Sequence, residues 1–412
     1  MKYAILVGDG MGDYPIPELG GKTPLEAAHI PMMDSLCAKG EFFLNQTVPK
    51  GYPPGSDVAN MSLMGYDPAK YYTGRAPLEA AAMNIRLAPD EIAFRCNMVT
   101  LDQSKDGKVS MRDFSAGHIS NEESHQLIAA LEAECSTSQF HFKPGVSYRH
   151  LMIYTGEHPG FVTVPPHDYI EKDVTAHFNQ YQTQQEWKTL VNKAQDLLAN
   201  HPVNIQRIKD GKNPANLIWL WGEGKMIGMP TLKERFNITG SMISAVDLLK
   251  GLGVMGGLSV INVPGATGYI DTNYAGKAQA AIDTLKEKDF VFVHLEAPDE
   301  AGHQGSLPDK IRAIEDFDNK IVHPIVEALR NSNEEFRVVV TMDHFTPLSL
   351  RTHVSDPVPT LLYDSRQQNQ GSGRKFHEKS CTEYDTAYKK HSAGGHTMIN
   401  KLLLQDQYKN NR

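Results

Sequence analysis

Residues 336–353, FRVVVTMDHFTPLSLRTH, decide the fold class. The uninterrupted β-branched run 338–340 predicts a strand buried on both faces, as in a parallel sheet covered by helices. The run is followed at once by Asp343 and His344, and then by His353. In an open α/β sheet, ligands bind just beyond the carboxyl ends of the strands. These three side chains therefore stand where chemistry is usually done.

The three side chains together suit a divalent metal ion. One anionic oxygen and two imidazoles within so short a span are donors typical of Zn²⁺ or Mn²⁺ sites. The alternative is a capping aspartate followed by two surface histidines, because short metal motifs also occur by chance. The rest of the chain has to decide between these interpretations.

Length and composition describe a globular protein larger than one ordinary domain. The 412 residues predict two domains, and 40% hydrophobic with 22% charged residues is usual for folded proteins. The net charge of −8 argues against nucleic acid or an anionic membrane as partner. No apolar run approaches the roughly 20 residues of a membrane span, and the apolar run 3–7 is too short for a secretory signal. The four cysteines show no CxxC spacing, so we expect a cytoplasmic protein.

The run 3–7 instead predicts a first strand, and it too is followed by an acidic residue. Asp9 stands in GDGMGD, whose glycines let the backbone turn sharply and approach whatever Asp9 holds. On its own, Asp9 is equally typical of an Asx turn without a ligand. It gains significance as a partner for Asp343.

Two helices are predicted after this strand. Residues 23–39 have a Thr-Pro start, apolar residues at helical spacing and a glycine stop. The second helix begins at Ser56, whose hydroxyl would lie among unsatisfied backbone N–H groups and the positive end of the helix dipole. That is a suitable place for a serine that carries a phosphoryl group. The alternative is that Ser56 or Asp57 only caps the helix.

The composition changes between residues 71 and 213, which predicts an inserted α+β domain. Strand-like segments (92–101, 150–155) alternate with polar helices (121–135, 183–200). Basic residues and histidines near the turns suit recognition of a small anion, although most single arginines are solvated surface residues. The candidates are Arg75, Arg95, Arg112, Asp113, His118, Arg149, His150, His167 and Asp168.

The remaining chain predicts further strands at 216–222, 258–263 and 289–295, and helices at 241–251 and 311–329. The strand at 289–295 leads into APDEAGHQG, which contains Asp299 and His303. Their spacing of four places both side chains on one face if the segment turns helically.

Acidic and imidazole groups thus recur at the carboxyl ends of predicted strands. Three oxygens and three nitrogens are enough for two metal sites with Ser56 between them; the ligands are Asp9, Asp299, His303, Asp343, His344 and His353. Two adjacent cations would lower the pKa of the Ser56 hydroxyl and neutralise phosphoryl oxygens, which is the logic of two-metal phosphoryl transfer.

At this point the chain resembles a known group, the alkaline phosphatase superfamily, and within it the cofactor-independent phosphoglycerate mutases of archaeal type. The matching stretches span nearly the whole length: GDGMGD, GGKTPLEAA, PPGSDVANMSLMGYDP, YYTGRAPLEAA, AFRCN, APDEAGHQG and MDHFTPLSLRTH. The resemblance implies an α/β fold with an alkaline-phosphatase-like, mostly parallel sheet sandwiched by helices. Residues 1–70 and 214–412 would form the metal-binding core, and 71–213 the smaller inserted domain.

The resemblance also implies how the ligands divide. One ion would be bound by Asp299, His303 and His353. The other would be bound by Asp9, Asp343 and His344, together with Ser56. Both ions would be Mn²⁺ or Zn²⁺, with Mg²⁺ as the third option.

The implied reaction interconverts 3-phosphoglycerate and 2-phosphoglycerate. A phosphoryl group would move between adjacent hydroxyls of glycerate through a phosphoserine on Ser56, without diffusible bisphosphoglycerate. The inserted domain would close over the acid with its basic residues.

The sequence departs from the mutases in the presumed acceptor pocket. Where the mutases carry arginines, RDFSAGHI and NLIWLWGEGK present His118, Trp219 and Trp221, with only Lys225 nearby. These segments and PGVSYRHLMI resemble a bacterial branch of the family that has been proposed to act as a homoserine kinase.

Three alternatives to a mutase therefore stay open. A homoserine kinase-like phosphotransferase would keep the serine and the metals but change the acceptor, although no Walker-type loop supports nucleotide binding. A phosphatase or sulfatase would use water in place of the second hydroxyl. A metal-dependent binding or regulatory module is disfavoured by the intact Ser56 and the six ligand positions.

Overall fold

The computed structural model of the protein describes residues 1–367, 371–388 and 393–409. Two compact units are present: unit 1 comprises Met1–Tyr72 and Gly228–Arg412, and unit 2 comprises Thr73–Ile227. None of the described helices combines the length and apolar character needed to cross a bilayer.

The strands of the described chain are distributed over two sheets. They are β1 (Lys2–Gly8), β2 (Glu41–Gln46), β3 (Glu91–Gln103), β4 (Val109–Asp113), β5 (Phe140–Val146), β6 (Arg149–Thr155), β7 (Leu217–Gly224), β8 (Gly240–Ile243), β9 (Ser259–Val260), β10 (Phe290–Leu295), β11 (Phe336–Thr341), β12 (Val358–Asp364) and β13 (Ala393–Gly394).

The helices connect and cover these strands. They are α1 (Pro24–Ala27), α2 (Pro31–Lys39), α3 (Ser56–Leu63), α4 (Pro68–Tyr71), α5 (Ala76–Ala82), α6 (Asn121–Cys135), α7 (Thr175–Gln180), α8 (Gln185–Asn200), α9 (Pro202–Lys209), α10 (Leu232–Phe236), α11 (Asp247–Met255), α12 (Tyr274–Glu287), α13 (Ala297–Gln304), α14 (Leu307–Phe317), α15 (His323–Asn331), α16 (Glu378–Tyr388) and α17 (Met398–Lys409).

Unit 1 is built on a mostly parallel sheet of order β13-β2-β12-β11-β1-β10-β8-β9. Among the strands in the described ranges of this sheet, β12 alone runs antiparallel to its neighbours, β11 and β2. Every residue of β10 and β11 is buried, because helices cover this part of the sheet. One core joins the strands to α2, α12, α14 and α15 through residues such as Leu36, Ala281, Phe317 and Val326. The predicted α/β class is therefore confirmed.

Unit 2 is an antiparallel sheet covered by helices. Its strand order is β4-β3-β6-β5, and β7 also pairs with the long strand β3. The core is centred on the indole of Trp187 in α8. Four aromatic rings, those of Phe94, Phe140, Tyr154 and Phe161, lie with centroids 4.9–5.5 Å from it.

One strand that was predicted to belong to the core lies in unit 2. The segment NLIWLWG forms β7, which pairs antiparallel with β3, Trp219 opposite Asn97. Residues 214–227 therefore lie with unit 2, whereas a boundary after residue 213 would assign them to the core. A buried apolar run indicates a strand but does not indicate which sheet the strand joins.

Some predicted elements have different bounds. The helix predicted at 23–39 is two helices, because the chain is extended at Ala28 before Pro31 starts α2. The long helix predicted at 311–329 contains one π turn, Asp318–Val322, between α14 and α15. The prediction of a helix at 241–251 was wrong at its start: Gly240–Ile243 is a strand parallel to β10, and the helix α11 begins at Asp247. The strand at 258–263 shortens to Ser259–Val260.

Candidate metal centre

The register of unit 1 brings three strand ends to one level. The central strand β1 pairs Val7 with His294 of β10 on one side and with Thr341 of β11 on the other. Asp9 and Asp343 each follow two residues after this level. Parallel strands direct their carboxyl ends to the same edge of a sheet, so residues distant in sequence converge here.

Asp299 and His303 reach the same edge on a helix. They lie on α13, which begins two residues after β10. The spacing of four does place both on one helical face, and Nε2 of His303 lies 3.2 Å from Oδ2 of Asp299. His353 completes this cluster, with its Nε2 2.9 Å from Nε2 of His303 and 3.4 Å from Oδ1 of Asp299.

Asp9, Asp343 and His344 form a second, fully buried cluster. Nε2 of His344 lies 3.4 Å from Oδ1 of Asp9 and 3.5 Å from Oδ2 of Asp343. Backbone N–H groups of Gly10 and His344 both donate to Oδ1 of Asp343, at 3.2 and 2.9 Å. These bonds fix the Asp343 carboxylate while its other oxygen faces the cluster.

Ser56 lies at the start of α3 and contacts the second cluster. Its Oγ is 3.1 Å from Nε2 of His344 and 3.4 Å from Oδ2 of Asp9. Gly55 occupies the N-cap position, so the hydroxyl of Ser56 does not cap the helix. One turn later, Asn60 donates both to the carbonyl of Ser56 at 2.8 Å and to Oδ2 of Asp343 at 2.9 Å. Asn60 thereby joins the serine-bearing turn to the end of β11.

Thr346 connects the two clusters. Its hydroxyl donates to Oδ1 of Asp299 and lies 3.3 Å from Nδ1 of His344. The rings of His344 and His353 are also close, with centroids 4.0 Å apart. All seven residues predicted as ligands or nucleophile are therefore brought together within unit 1, although their binding and catalytic roles stay predictions.

The charges of the site are unbalanced. Burial raises the pKa of Asp9 well above its ordinary value, and the carboxylates of Asp343 and Asp299 raise it further. Burial also acts to raise the pKa of Asp299, but hydrogen bonds from His303 and His353 hold it well below the ordinary value. The bond to Asp299 raises the pKa of His303 to about 9.

These residues fit divalent cations. Three buried carboxylates face one another with too few positive side chains to neutralise them, and a divalent ion would supply that charge. Donor atoms of two sets, Asp9 with His294 and Asp343, and Asp299 with His344 and His353, lie within 4.8 Å of one another in each set. His344 thus contacts both groups, and His294 enters the site as a new member.

Sequence reasoning missed His294, which is buried at the end of β10. Its Nε2 lies 3.0 Å from Oδ2 of Asp9, and burial lowers its pKa to about 4, so the ring is neutral at pH 7. The signal was a single imidazole within the apolar strand FVFVHL. A lone histidine in a core strand is weak as a motif, which is why only the folded arrangement reveals it.

Lys310 is a second residue that the sequence did not indicate. Its ammonium is fully buried and donates to the carbonyls of Gly12 and Thr346, at 3.1 and 2.7 Å, and to Oδ2 of Asp13 at 2.8 Å. The loop that follows Asp9 is thereby joined to the loop between His344 and His353. Lys310 positions both clusters without contacting either of them through its ammonium.

We expect Lys310→Met to destabilise the metal-free protein by about 3–5 kcal/mol, because it leaves the carboxylate of Asp13 buried without its partner. Urea unfolding followed by circular dichroism measures this. The control is Lys286→Met, which removes an exposed ammonium paired with Asp283 at 2.7 Å and should cost less than about 1 kcal/mol. Equal effects of the two substitutions would contradict the positioning role.

In unit 2 the predicted anion-binding residues separate into two groups. Arg75, Arg95, Arg149 and His167 make up the first group. Burial lowers the pKa of Arg95; the charge of Glu79 opposes this, and the charges of Arg75 and Arg149 lower the pKa further. Burial likewise lowers the pKa of His167, with a further contribution from the charges of Arg75 and Arg95. The guanidinium of Arg95 bonds Glu79 at 3.0 Å and stacks 4.1 Å from the ring of Trp221. This group and the adjacent rings of Phe114, His118, Tyr148 and Trp221 form a basic, aromatic cluster, which we call the basic face. Arg95 and Trp221 are its buried members, and Arg149, His118 and His167 are exposed.

The other predicted residues have structural partners. Arg112 pairs with Asp102, and Asp113 accepts hydrogen bonds from the residue 115 and 117 amides. His150 is buried, and Nδ1 accepts from the amide of Gly145 at 3.0 Å. Lys225 donates to the carbonyl of Pro89 at 3.3 Å, and Asp168 accepts at its carbonyl from Nζ of Lys172 at 2.8 Å. These contacts give each residue a role within unit 2, and their substrate contacts stay predictions.

Comparison with known sequences gives a consistent result. The model of the family described as 2,3-bisphosphoglycerate-independent phosphoglycerate mutase matches residues 37–204. A protein of that name from Methanosarcina barkeri is 51% identical over 383 residues, covering 92% of this chain and 95% of its own. A relative from Geobacter sulfurreducens, named as a probable mutase of the same kind, is 48% identical over 381 residues, covering 92% and 95%.

Solved structures agree with the sequence relatives. The PH0037 protein from Pyrococcus horikoshii aligns with a TM-score of 0.78 and 29% identity, covering 97% of this chain and 96% of its own. A cofactor-independent phosphoglycerate mutase from Thermoplasma acidophilum aligns with a TM-score of 0.63 and 27% identity, covering 98% and 100%.

Proposed function

The chain belongs to the 2,3-bisphosphoglycerate-independent phosphoglycerate mutase family, and from this membership we infer that it interconverts 3-phosphoglycerate and 2-phosphoglycerate. It is an isomerase that acts as an intramolecular phosphotransferase, and its substrate is a small phosphorylated acid. The relatives described above give no support to homoserine as the acceptor. The mutase reaction is therefore the function to test.

The observation that carries the mechanism is the position of the Ser56 hydroxyl. Its Oγ lies within 3.4 Å of both Asp9 and His344, at the first residue of α3. We propose that Oγ loses its proton as it attacks the phosphorus of 3-phosphoglycerate and forms a phosphoserine, while the bond from phosphorus to O3 of glycerate breaks and O3 takes up a proton. O2 of the retained glycerate then loses its proton as it attacks the phosphorus of the phosphoserine, and Oγ leaves and takes up a proton. Backbone N–H groups of the first turn of α3 suit the phosphoryl oxygens throughout.

We propose two divalent ions, Mn²⁺ or Zn²⁺ with Mg²⁺ as the third option. Asp299, His303 and His353 would hold one, and Asp9, Asp343 and His344, with Ser56, would hold the other. Bound there, the ions would neutralise phosphoryl oxygens and favour the deprotonated serine. The excess of buried carboxylates supports this proposal.

The direct test is conversion of 3-phosphoglycerate to 2-phosphoglycerate without added bisphosphoglycerate. We expect turnover with Mn²⁺, loss of at least about 99% of it after dialysis against EDTA, and recovery on adding Mn²⁺ back, because the phosphoryl charge is then unscreened. Homoserine with ATP as donor is assayed in parallel and should give no product. Absence of isomerisation in the presence of Mn²⁺ and Zn²⁺ would overturn the proposal.

We further propose that the basic face of unit 2 binds the anionic groups of the substrate. Arg149 is its most exposed arginine, with the guanidinium 5.6 Å from the ring of Tyr148. We expect Arg149→Met to raise the KM for 3-phosphoglycerate about tenfold or more, since it removes a charged hydrogen-bond donor from the bound acid. Steady-state kinetics measures KM and kcat separately.

The control for Arg149→Met is Arg86→Met, which removes another exposed arginine of unit 2 that lies outside the basic face. Its KM should equal that of the unaltered protein. If both substitutions leave KM unchanged, the basic face does not bind substrate through Arg149.

The cytoplasm remains the expected compartment. All four cysteines lie in the described ranges, and each is a buried free thiol. Buried thiols without disulfide partners suit a reducing environment.

A further inference from the structure

We propose that His294 is an additional protein ligand of the ion held by Asp9 and Asp343, and that Ser244 fixes the ring for this role. The inference rests on the metal-dependent function proposed above and adds an imidazole to the ligand set that the family resemblance implies. His294 is fully buried in β10 among apolar residues. A buried ring nitrogen without a hydrogen-bond partner is costly.

The atoms around Nε2 of His294 point to a shared ligand. Nε2 lies 3.0 Å from Oδ2 of Asp9, yet within the described chain Nε2 has no hydrogen-bond partner, and neither has Oδ1 of Asp9. The two side chains are close without the alignment of a hydrogen bond. Such an arrangement arises when both are directed at a third point between them.

The spacing of the donors suits one cation. Ligand atoms bound at about 2.0–2.2 Å from an ion lie roughly 3 to 4.4 Å from one another. Nε2 of His294 lies 3.0 Å from Oδ2 of Asp9, and donor atoms of His294, Asp9 and Asp343 all lie within 4.8 Å of one another. Nε2 of His344 lies 3.4 Å from the other oxygen of Asp9, Oδ1, and 3.5 Å from Oδ2 of Asp343. His294 therefore extends an existing set of donors rather than forming a separate site.

The other ring nitrogen of His294, Nδ1, has a hydrogen-bond partner, as the second nitrogen of a metal-binding histidine usually has. Oγ of Ser244 lies 3.4 Å from Nδ1 of His294 and is itself fixed, because it accepts the amide N–H of Val246 at 3.0 Å. A proton on Nδ1 directed to Ser244 leaves the lone pair of Nε2 for the ion. The buried ammonium of Lys277 donates to the carbonyl of His294 at 3.1 Å and holds the end of β10 in place.

A second imidazole changes which metal this site prefers. Mg²⁺ favours oxygen ligands, whereas imidazole nitrogens suit Zn²⁺ and other transition metals. With His294 and His344 both present, the ion next to Ser56 should be a transition metal even where Mg²⁺ is in excess.

The test uses the full-length protein, labelled with ¹⁵N in its histidine rings, freed of metal and loaded with two equivalents of ¹¹³Cd²⁺. Coupling between ¹¹³Cd and ring nitrogens is read by nuclear magnetic resonance. We expect four coupled imidazoles, those of His294, His303, His344 and His353, and one fewer in His294→Asn. The control His323→Asn removes an exposed imidazole at the start of α15 and should retain four.

The outcomes separate the inference from the function on which it rests. Three coupled imidazoles in the unaltered protein would overturn the role of His294 and leave the metal proposal standing. Equal numbers of coupled imidazoles in the unaltered protein and in His294→Asn would have the same meaning. No coupled imidazole at all would overturn the metal proposal as well. If His294→Asn fails to fold, Ser244→Ala is measured instead: it should weaken binding of one Cd²⁺ equivalent about 10- to 100-fold by calorimetry. Unchanged affinity would then refute the positioning by Ser244.

Discussion

Ser56→Ala should lower mutase turnover by at least about 10⁴-fold while the protein stays folded. The substitution removes the oxygen that would carry the phosphoryl group, and loss of a nucleophile typically costs this much or more. The folded state should change little, because the side chain is only half-buried and its helix begins with a glycine cap. Turnover, thermal unfolding and covalent incorporation of ³²P from labelled substrate measure the three consequences.

The control is Ser62→Ala, on the same helix. Ser62 is fully buried, and its hydroxyl has no hydrogen-bond partner in the described chain, so its removal should leave turnover and ³²P incorporation unaltered. Incorporation of ³²P into Ser56→Ala at the level of the unaltered protein would show that another residue carries the phosphoryl group.

Asp9→Asn should have opposite effects on activity and on stability. Without metal, Asp9 is a buried carboxylate facing those of Asp343 and Asp299, and burial and both charges raise its pKa. Replacing it with a neutral side chain of the same shape relieves this repulsion, so the metal-free protein should gain about 1 kcal/mol of unfolding free energy at pH 7. Turnover with Mn²⁺ should nevertheless fall at least about 10³-fold, because a ligand is lost.

Urea unfolding in EDTA and the coupled mutase assay measure the two effects of Asp9→Asn. Asp283→Asn serves as control, since this exposed carboxylate pairs, within the part of the chain that the structure describes, with Lys286 and Gln279 of its own helix. It should change turnover by less than twofold. A destabilised metal-free Asp9→Asn protein would mean that the site is balanced without cations, contrary to the charge argument.

The sequence could predict the strands and turns of the site because their signals are local. A β-branched run followed by Asp343 and His344 indicates both the buried strand β11 and the sheet edge at which the predicted ligands meet. The spacing of Asp299 and His303 likewise indicates one face of a helix, as α13 confirms. These predictions needed only the periods of strand and helix.

The remaining features depend on pairing across the chain. The apolar segment of β7 fits either sheet, and only its register with β3 places it in unit 2. Lys310 and His294 lie in an amphipathic helix and an apolar strand, where the usual expectations are a solvated ammonium and a core residue. Their roles come from partners nearly 300 residues away: Asp13 and Asp9. No local pattern contains that information.

The strands β1, β10 and β11 end at the same height in the sheet, and this alignment limits the insertions and deletions that the protein can tolerate. Side chains alternate between the faces of a strand, so one inserted residue within β1 would turn Asp9 to the opposite side. Two inserted residues would restore its direction but carry it roughly 6–7 Å beyond its partners. Either insertion would separate Asp9 from its partners in the site. Changes in chain length should therefore be tolerated in surface loops but not within these three strands.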